Sequence, residues 1–303
     1  MKDFAVEVNQ LKKNYEKVEA VKGISFSVPK GELFGLIGPD GSGKTSIFRI
    51  LTTLIYPTSG DAKIFGLDVV NDYRKIRSNM GYMPQRFSLY QDLSVEENLN
   101  FFATIFGTTI EENYDLIKDI YSQIEPFKNR LAGRLSGGMK QKLALSCALI
   151  HSPDILILDE PTTGVDAVSR KEFWEMLIRL KEKGITILVS TPYMDEANLC
   201  DRVALIQNGE ILSINQPDAI IKNFNRKLWA VKSGNMYQLI HDLKNMDNID
   251  TVYTFGEYLH VTSKNESIDE NKLESELCQK EHQKIEIHEI SANIEDCFME
   301  LMN

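Results

Sequence analysis

The chain has 303 residues, of which 43% are hydrophobic and 26% are charged, and its formal net charge is −10. This length and composition indicate a globular protein of about two domains and exclude collagen-like, disulfide-scaffold and disordered classes. The acidic surplus argues against a protein that mainly grips a nucleic-acid backbone, because that task needs an excess of Lys and Arg. We therefore expect no nucleic-acid partner.

In residues 1–216, short apolar or alternating runs predict strands at 4–11, 24–28, 33–37, 155–158 and 185–189, with helices at 44–54 and 166–183. Strands that alternate with helices predict an α/β fold whose sheet is covered on both faces. No apolar stretch reaches the roughly 18–20 residues that a membrane-spanning helix needs. The N-terminus also lacks the apolar core of a signal peptide.

The cysteines show neither a CxxC motif nor metal-ligand spacing, so we predict reduced thiols in the cytoplasm. They are Cys147, Cys200, Cys278 and Cys297. We accordingly expect a cytoplasmic protein that reaches a membrane only through a partner.

The composition changes near Gln216-Pro217, because the last 87 residues carry 9 basic and 16 acidic residues, a net charge of −7. We place a domain boundary there, giving domains 1–216 and 217–303. The tail predicts strands at 228–231, 251–255, 258–262 and 284–288 and helices at 236–243 and 273–278. This β-α-β-β-α-β order predicts a small ferredoxin-like α+β domain. A last helix would present Ile294, Phe298 and Leu301 on one face.

The segment Gly38-Pro39-Asp40-Gly41-Ser42-Gly43-Lys44-Thr45 lies between a predicted strand and a predicted helix and has the P-loop pattern GxxxxGK[ST]. Its glycines let backbone N–H groups face a phosphate chain, and the helix N-terminus adds partial positive charge. Lys44 suits the β- and γ-phosphates and the Thr45 hydroxyl suits Mg²⁺. A glycine turn that merely caps a helix is the alternative. We assign the nucleotide to Gly38, Asp40, Gly41, Ser42, Gly43, Lys44, Thr45 and Ser46.

Two features refine this assignment. Asp40 adds a carboxylate near the phosphates, which we expect to weaken nucleotide affinity modestly.

The apolar run 155–158 ends in two acidic residues, Asp159 and Glu160. Asp159 suits Mg²⁺ binding, and Glu160 suits polarising an attacking water. Alone, such a pair is more often a solvated strand edge, but beside a P-loop it favours a catalytic role.

The segment Leu135-Ser136-Gly137-Gly138-Met139 opens a helix with a hydroxyl and free backbone N–H groups, which predicts a second phosphate clamp. On its own it is also consistent with a simple helix cap. With these motifs together, the chain resembles the ATP-binding subunits of ABC transporters, whose signature helix begins LSGGQ. The resemblance covers roughly residues 4–215.

The resemblance implies roles for further residues. Tyr15 would stack on adenine, Gln85 would sense Mg²⁺ and the γ-phosphate, and Asp166 would lie in the loop that crosses to a second subunit. Residues 86–106 would form the docking surface for a membrane permease. The implied catalytic residues are Glu160, Gln85 and Lys44, and the implied metal ligands are Thr45, Gln85 and Asp159.

The resemblance also implies a head-to-tail pair that sandwiches two ATP molecules, with Ser136, Gly137 and Gly138 of each member facing the opposite triphosphate. The partner is either an identical chain or a related ATPase domain. The membrane subunits, which would hold the pair at the inner face of the cell membrane, would set the transported substrate.

One family residue is missing, because Pro192 stands where the switch histidine is expected. Proline has no side-chain donor, and the loss of one transition-state donor costs roughly two to three orders of magnitude in rate. We expect this site to bind ATP better than it hydrolyses it, and the alternative is that Glu160 and Gln85 suffice. His151, the other candidate, is too far upstream to take this place.

The closing segment 294–301 resembles that of drug-resistance-type exporter ATPases. It is either a regulatory or pairing module or an amphipathic helix that packs on the tail's own sheet. We therefore expect the ATPase subunit of an exporter. The alternatives are a soluble ABC-type protein of translation or DNA repair and a non-hydrolysing, ATP-gated regulatory subunit.

Overall fold

The computed structural model describes residues 3–86, 88–264 and 270–302. It divides into two compact units, one running up to Pro217 and the other beginning at Asp218. Each unit is described separately.

The first unit contains ten strands and six α-helices among its described residues. The strands are β1 (Phe4–Tyr15), β2 (Val18–Pro29), β3 (Leu33–Ile37), β4 (Ser59–Ile64), β5 (Leu67–Asp68), β6 (Met80–Met83), β7 (Ile155–Asp159), β8 (Thr186–Thr191), β9 (Arg202–Gln207) and β10 (Glu210–Asn215). The helices are α1 (Lys44–Leu51), α2 (Tyr73–Ser78), α3 (Val95–Phe106), α4 (Tyr114–Tyr121), α5 (Gly137–Leu149) and α6 (Ala167–Glu182). Short 3-10 helices lie at Glu125–Phe127, Ala132–Arg134 and Met194–Leu199.

The main sheet has six strands in the order β10-β9-β3-β8-β7-β6, and all its pairs are parallel except β9 with β10. Strands β3, β7 and β8 are buried along their whole length, as expected for parallel strands covered on both faces. In the register, Asp159 lies beside Ser190 and Ile37 lies beside Thr191. The P-loop, Asp159 and the end of β8 therefore meet at the carboxyl edge, where α/β proteins form their sites.

A second, antiparallel sheet has the order β2-β1-β4-β5. Its apolar residues share one core with α1 and the main sheet, including Val8, Phe26, Phe48 and Leu188. Helix α1 ends at Leu51 rather than at the predicted residue 54. The Thr52 hydroxyl donates to the Phe48 carbonyl and Thr53 takes a left-handed conformation (φ 62°), which stops the helix.

Three helices, α3, α4 and α5, fill the chain between β6 and β7. Helix α3 begins with a capping box, because Ser94 accepts from the Glu97 N–H and Glu97 accepts from the Ser94 N–H. These bonds hold the pKa of the Glu97 carboxyl below its ordinary value.

The second unit is built on a four-stranded antiparallel sheet in the order β12-β13-β11-β14. Trp229, Val231, Leu259 and Val261 project from one face into a core with the helices. The elements are α7 (Pro217–Lys222), which begins at the division, then β11 (Leu228–Lys232), α8 (Met236–Lys244), β12 (Ile249–Phe255), β13 (Tyr258–Ser263), α9 (Glu270–Gln279), β14 (Glu286–Ile290) and α10 (Ile294–Leu301).

Helix α10 packs on the other face of that sheet. His260, whose neighbours Leu259 and Val261 face the core, places its Nδ1 2.6 Å from Asp296 Oδ1 on α10. Ile294 and Phe298 are buried as expected, but Leu301 is 41% exposed, so the predicted apolar face is shorter than expected. Of the two alternatives for this segment, packing on its own sheet is what the structure contains.

Candidate functional site

The P-loop conformation requires glycine at two positions. At Gly43 the backbone is left-handed (φ 107°), and a Cβ there would clash with the Ala20 carbonyl. A Cβ on Gly38 would clash with the Ile206 carbonyl. The loop therefore fits closely against neighbouring backbone and delivers the chain into α1 at Lys44.

The other nucleotide residues lie around this loop. Ser42 is buried, and its hydroxyl has no hydrogen-bond partner among the described residues. Gly41 and Asp40 are exposed. Tyr15 is 41% exposed, and its hydroxyl lies 3.3 Å from that of Ser46, so its ring stands at the mouth of the loop.

Lys44 and Glu160 form a buried ion pair, with 3% and 4% of their side chains exposed and 3.3 Å between Nζ and Oε1. The Lys44 ammonium also donates to the carbonyls of Gly38 and Pro39, at 2.7 and 2.9 Å. Glu160 Oε2 accepts from Gln85 Nε2 at 2.8 Å and from the Thr163 hydroxyl at 3.3 Å. The structure thus brings together Lys44, Glu160 and Gln85, the three residues predicted to be catalytic.

Asp159 is 1% exposed, and its two carboxylate oxygens have different surroundings. Oδ1 accepts from the Ser190 hydroxyl at 2.7 Å and from the Thr45 hydroxyl at 3.3 Å. Oδ2 is buried and has no hydrogen-bond partner among the described residues. Burial raises the pKa of Asp159, while the bonds from Ser190 and Thr45 act in the opposite direction.

This donor set fits a magnesium ion. Mg²⁺ prefers oxygen ligands and is usually held by one or two carboxylates together with substrate phosphates. Asp159 supplies an unpartnered carboxylate oxygen, Thr45 supplies a hydroxyl beside it, and Gln85 reaches the group through Glu160. Among residues 3–86, 88–264 and 270–302, no three His, Cys, Asp or Glu side chains form a complete cage for a metal ion.

The backbone of Glu160 is left-handed (φ 49°), a conformation that costs a non-glycine residue roughly 1–3 kcal/mol. Its N–H is held by Ser190, through the backbone carbonyl at 3.1 Å and the hydroxyl at 3.0 Å. The turn after β7 therefore stores strain where the two predicted acidic residues stand.

The signature segment lies beside the Asp166 loop. Ser136 caps α5 by accepting from the Met139 N–H at 3.4 Å, and a Cβ on Gly138 would stand 2.6 Å from the Ser169 hydroxyl. A Cβ on Gly137 would lie 3.7 Å from the Gly164 carbonyl. Asp166 caps α6, and the hydrogen bonds from Ser169 lower the pKa of its carboxyl.

Pro192 follows β8 at the edge where the P-loop begins, because the Gly38 N–H donates to the Thr191 carbonyl at 3.3 Å. His151 lies elsewhere. Its ring stacks on Phe106 with 3.7 Å between centroids, and its Nε2 lies 3.2 Å from the Met80 carbonyl, at the opposite end of β6. Burial lowers the pKa of His151, which favours a neutral ring.

Ser190 and Thr163 contact the acidic pair but are not among the predicted site residues. A hydroxyl at the end of the otherwise apolar run 185–189 was the only sequence signal for Ser190, and its importance depends on the strand order. Thr163 was read only as part of the Asp166 loop, although its hydroxyl reaches Glu160.

An open, largely apolar groove of about 380 Å³ follows the Gln85 segment. Its walls come from β6, from the chain after Gln85, from α3 and from α5, and include Met83, Leu89, Phe102, Phe106 and Ala144. The groove therefore lies within and beside the range 86–106 predicted to dock a membrane subunit. Phe87 of that range is outside the described residues.

The family described as ABC transporter has a model that matches residues 21–163. The chain is 40% identical over 218 residues to the probable multidrug ABC transporter ATP-binding protein YbhF of Escherichia coli, an alignment that covers 71% of this chain and 38% of that protein. It is 38% identical over 221 residues to Nod factor export ATP-binding protein I of Burkholderia lata, covering 72% of this chain and 73% of that protein. The chain thus spans well under half of YbhF.

Solved structures agree. CbiO1 of Clostridium perfringens, part of the ABC transporter complex cbiONQ, superposes with a TM-score of 0.66 at 26% identity and covers 73% of this chain and 92% of its own. The dimeric ATP-binding cassette MJ0796, in a post-hydrolysis state bound to ADP and Pi, gives a TM-score of 0.64 at 26% identity, with 70% and 98% covered. These matches confirm the predicted α/β P-loop ATPase fold. None of the described helices is long and apolar enough to cross a membrane.

Proposed function

This chain belongs to the ATP-binding proteins of ABC transporters, and from that premise we propose that it powers export through separate membrane subunits while its own P-loop site hydrolyses ATP slowly. The observation that carries the proposal is the buried group at the carboxyl edge of the main sheet. There Glu160 forms an ion pair with Lys44 and accepts a hydrogen bond from Gln85. Asp159 is joined to Glu160 through Ser190, and it also accepts from Thr45.

ATP binding begins with a change of partners for Lys44. In the structure its ammonium is held by Glu160 and by the carbonyls of Gly38 and Pro39. The β- and γ-phosphates offer stronger, charged acceptors, so the ammonium turns to them and leaves Glu160 free. Tyr15 at the mouth of the loop covers one face of the adenine.

Glu160 is the group that polarises water beside the γ-phosphate. Gln85 and Thr163 hold its Oε2, and the Ser190 hydroxyl and carbonyl hold its N–H. A magnesium ion, when bound, would be held by Thr45, Asp159 and Gln85 and would supply charge neutralisation for the phosphates. The Thr45 hydroxyl lies 3.3 Å from Asp159 Oδ1.

Pro192 limits the rate at this site. It directly follows the residue whose carbonyl contacts the first P-loop glycine, and it offers no donor to a γ-phosphate. One missing transition-state donor corresponds to roughly 10²- to 10³-fold in turnover. ATP is therefore held longer than at a site that carries the histidine.

We assign the functional unit to a head-to-tail pair of ATPase domains, in which Ser136, Gly137 and Gly138 face the partner's ATP. Within this chain the segment contacts the Asp166 loop and α6, and its helix N-terminus stays available to a phosphate. The dimeric MJ0796 cassette supports such an arrangement by analogy. The partner is a second copy of this chain or a related domain.

The groove beside Gln85 is assigned to a short helix of the membrane permease. Phe102, Phe106 and Leu89 give it apolar walls, which suit the apolar face of an amphipathic helix. Tyr82 and Met83 line the groove, and Gln85 follows them in the chain and donates a hydrogen bond to Glu160. A helix bound in the groove would therefore be coupled to Glu160 through Gln85. The chain would then lie at the inner face of the cell membrane.

The proposal is tested by the steady-state ATPase rate of the permease complex carrying either the wild-type chain or Pro192→His. We expect the variant to turn over roughly 10²- to 10³-fold faster while both bind ATP with similar affinity. Equal and vigorous turnover in both complexes would refute the slow-site proposal.

Pro192 also favours a second candidate, a non-hydrolysing regulatory subunit that pairs in an ATP-gated manner. Such a subunit would pair in the presence of ATP, and this site would show no measurable ATP turnover in either the wild-type chain or Pro192→His.

A further inference from the structure

Among the described residues, Ser190 is the one whose side chain contacts both residues of the Asp159-Glu160 pair. Its hydroxyl donates to Asp159 Oδ1 at 2.7 Å and accepts from the Glu160 N–H at 3.0 Å. The residue is fully buried, so water does not compete for either bond. With its single proton directed at Asp159, the hydroxyl has one favourable orientation.

This contact decides how the Asp159 carboxylate is turned. Oδ1 is saturated by hydroxyl donors, whereas Oδ2 is buried without a partner among the described residues. The second donor, Thr45, is longer at 3.3 Å and is itself assigned to the cation. Ser190 therefore makes the shorter bond to Oδ1 and is the donor that is not assigned to the cation.

We infer that Ser190 is a positioning residue, which fixes the Asp159 carboxylate so that Oδ2 is presented to the divalent cation and which ties that carboxylate to the backbone of Glu160. The inference rests on the proposed ATP site. Groups that orient metal ligands from behind typically change metal affinity by 10- to 100-fold when they are removed. Ser190 on β8 can orient Asp159 in this way because the sheet register places the two residues side by side.

The test uses the whole chain and a fluorescent ATP analogue, titrated in EDTA and over a range of free Mg²⁺. For Ser190→Ala we expect the Mg²⁺ concentration at half-saturation to rise roughly 10- to 100-fold, with little change in the affinity measured in EDTA. Ser190→Thr keeps a hydroxyl and should stay within a few-fold of wild type. Ser146→Ala is the matched control, because Ser146 is equally buried in the same unit and donates to the Lys142 carbonyl instead.

The outcomes separate the possibilities. Wild-type Mg²⁺ dependence in Ser190→Ala overturns the inference, and so does an equal loss of affinity with and without Mg²⁺, because that pattern marks a purely structural serine. If the alanine variant does not fold, Ser190→Cys, which is similar in size but a weak donor, must show the same Mg²⁺-specific loss for the inference to stand. A wild-type chain that binds no nucleotide under any condition refutes the proposed function itself.

Discussion

The Lys44–Glu160 ion pair gives the P-loop an internal counter-ion, and a double-mutant cycle measures how much the fold depends on it. Lys44→Met removes the ammonium, so that among the described residues Gln85 and Thr163 remain as the hydrogen-bond donors to the buried Glu160 carboxylate. Glu160→Gln leaves Lys44 with the carbonyls of Gly38 and Pro39, so it is the milder change.

The distance between the two charges sets the size of the expected stability change. At 3.3 Å and an effective dielectric constant of about 20, the Coulomb attraction of the pair is about 5 kcal/mol. Removing one member of a buried pair typically destabilises by about 3–5 kcal/mol, whereas replacing both is close to neutral. We therefore expect Lys44→Met to lower the free energy of unfolding by about 3–5 kcal/mol, and Lys44→Met/Glu160→Gln to recover most of that loss.

The assay is unfolding in urea without nucleotide or Mg²⁺, in which the unfolding transition of the first unit is followed. It is applied to the wild type, both single variants and the double variant. A favourable coupling energy of about 2 kcal/mol or more supports the arrangement. Additive effects, or a Lys44→Met chain as stable as wild type, would show that the ammonium does not neutralise Glu160 under these conditions.

Three further changes probe other parts of the chain. Ser94→Ala removes the cap of α3 and should lower the free energy of unfolding in urea by about 1 kcal/mol without changing ATP affinity; a loss of ATP binding would contradict a purely local role. Ala144→Arg places a charge in the apolar groove and should abolish co-purification with the permease, while the purified chain still binds ATP; undiminished co-purification would mean that the partner docks elsewhere. Trp229→Ala empties the core of the second unit and should destabilise that unit by about 3–5 kcal/mol, seen as faster limited proteolysis after Pro217, and unchanged proteolysis would contradict the packing.

The features that a sequence pattern can locate are those that depend on neighbours in the chain. The P-loop is a contiguous pattern between a strand and a helix, and the Asp159-Glu160 pair directly follows an apolar run, so local patterns locate both. The shared edge of Lys44, Glu160 and Gln85 followed from the resemblance to a known family, and the structure brings those side chains together.

The features that the sequence did not predict depend on contacts between residues far apart in the chain. Ser190 gains its contacts because β8 lies next to β7 in a register that pairs it with Asp159, and no local pattern specifies that register. The groove needs walls from β6, α3 and α5, which are separated in the chain. Helix α1 is shorter than its apolar pattern because Thr53 leaves the helical conformation, and Leu301 is exposed because the helix ends at that residue.

Calorimetric titration of Mg²⁺-ATP into the wild-type chain and into Lys44→Met/Glu160→Gln tests the assigned ATP site most directly, because the double variant should fold yet lacks the ammonium that faces the phosphates. We expect one ATP bound per wild-type chain and binding roughly 10- to 100-fold weaker in the variant. Binding of equal strength in both chains, or none in the wild type, would contradict the assignment of this loop as the ATP site.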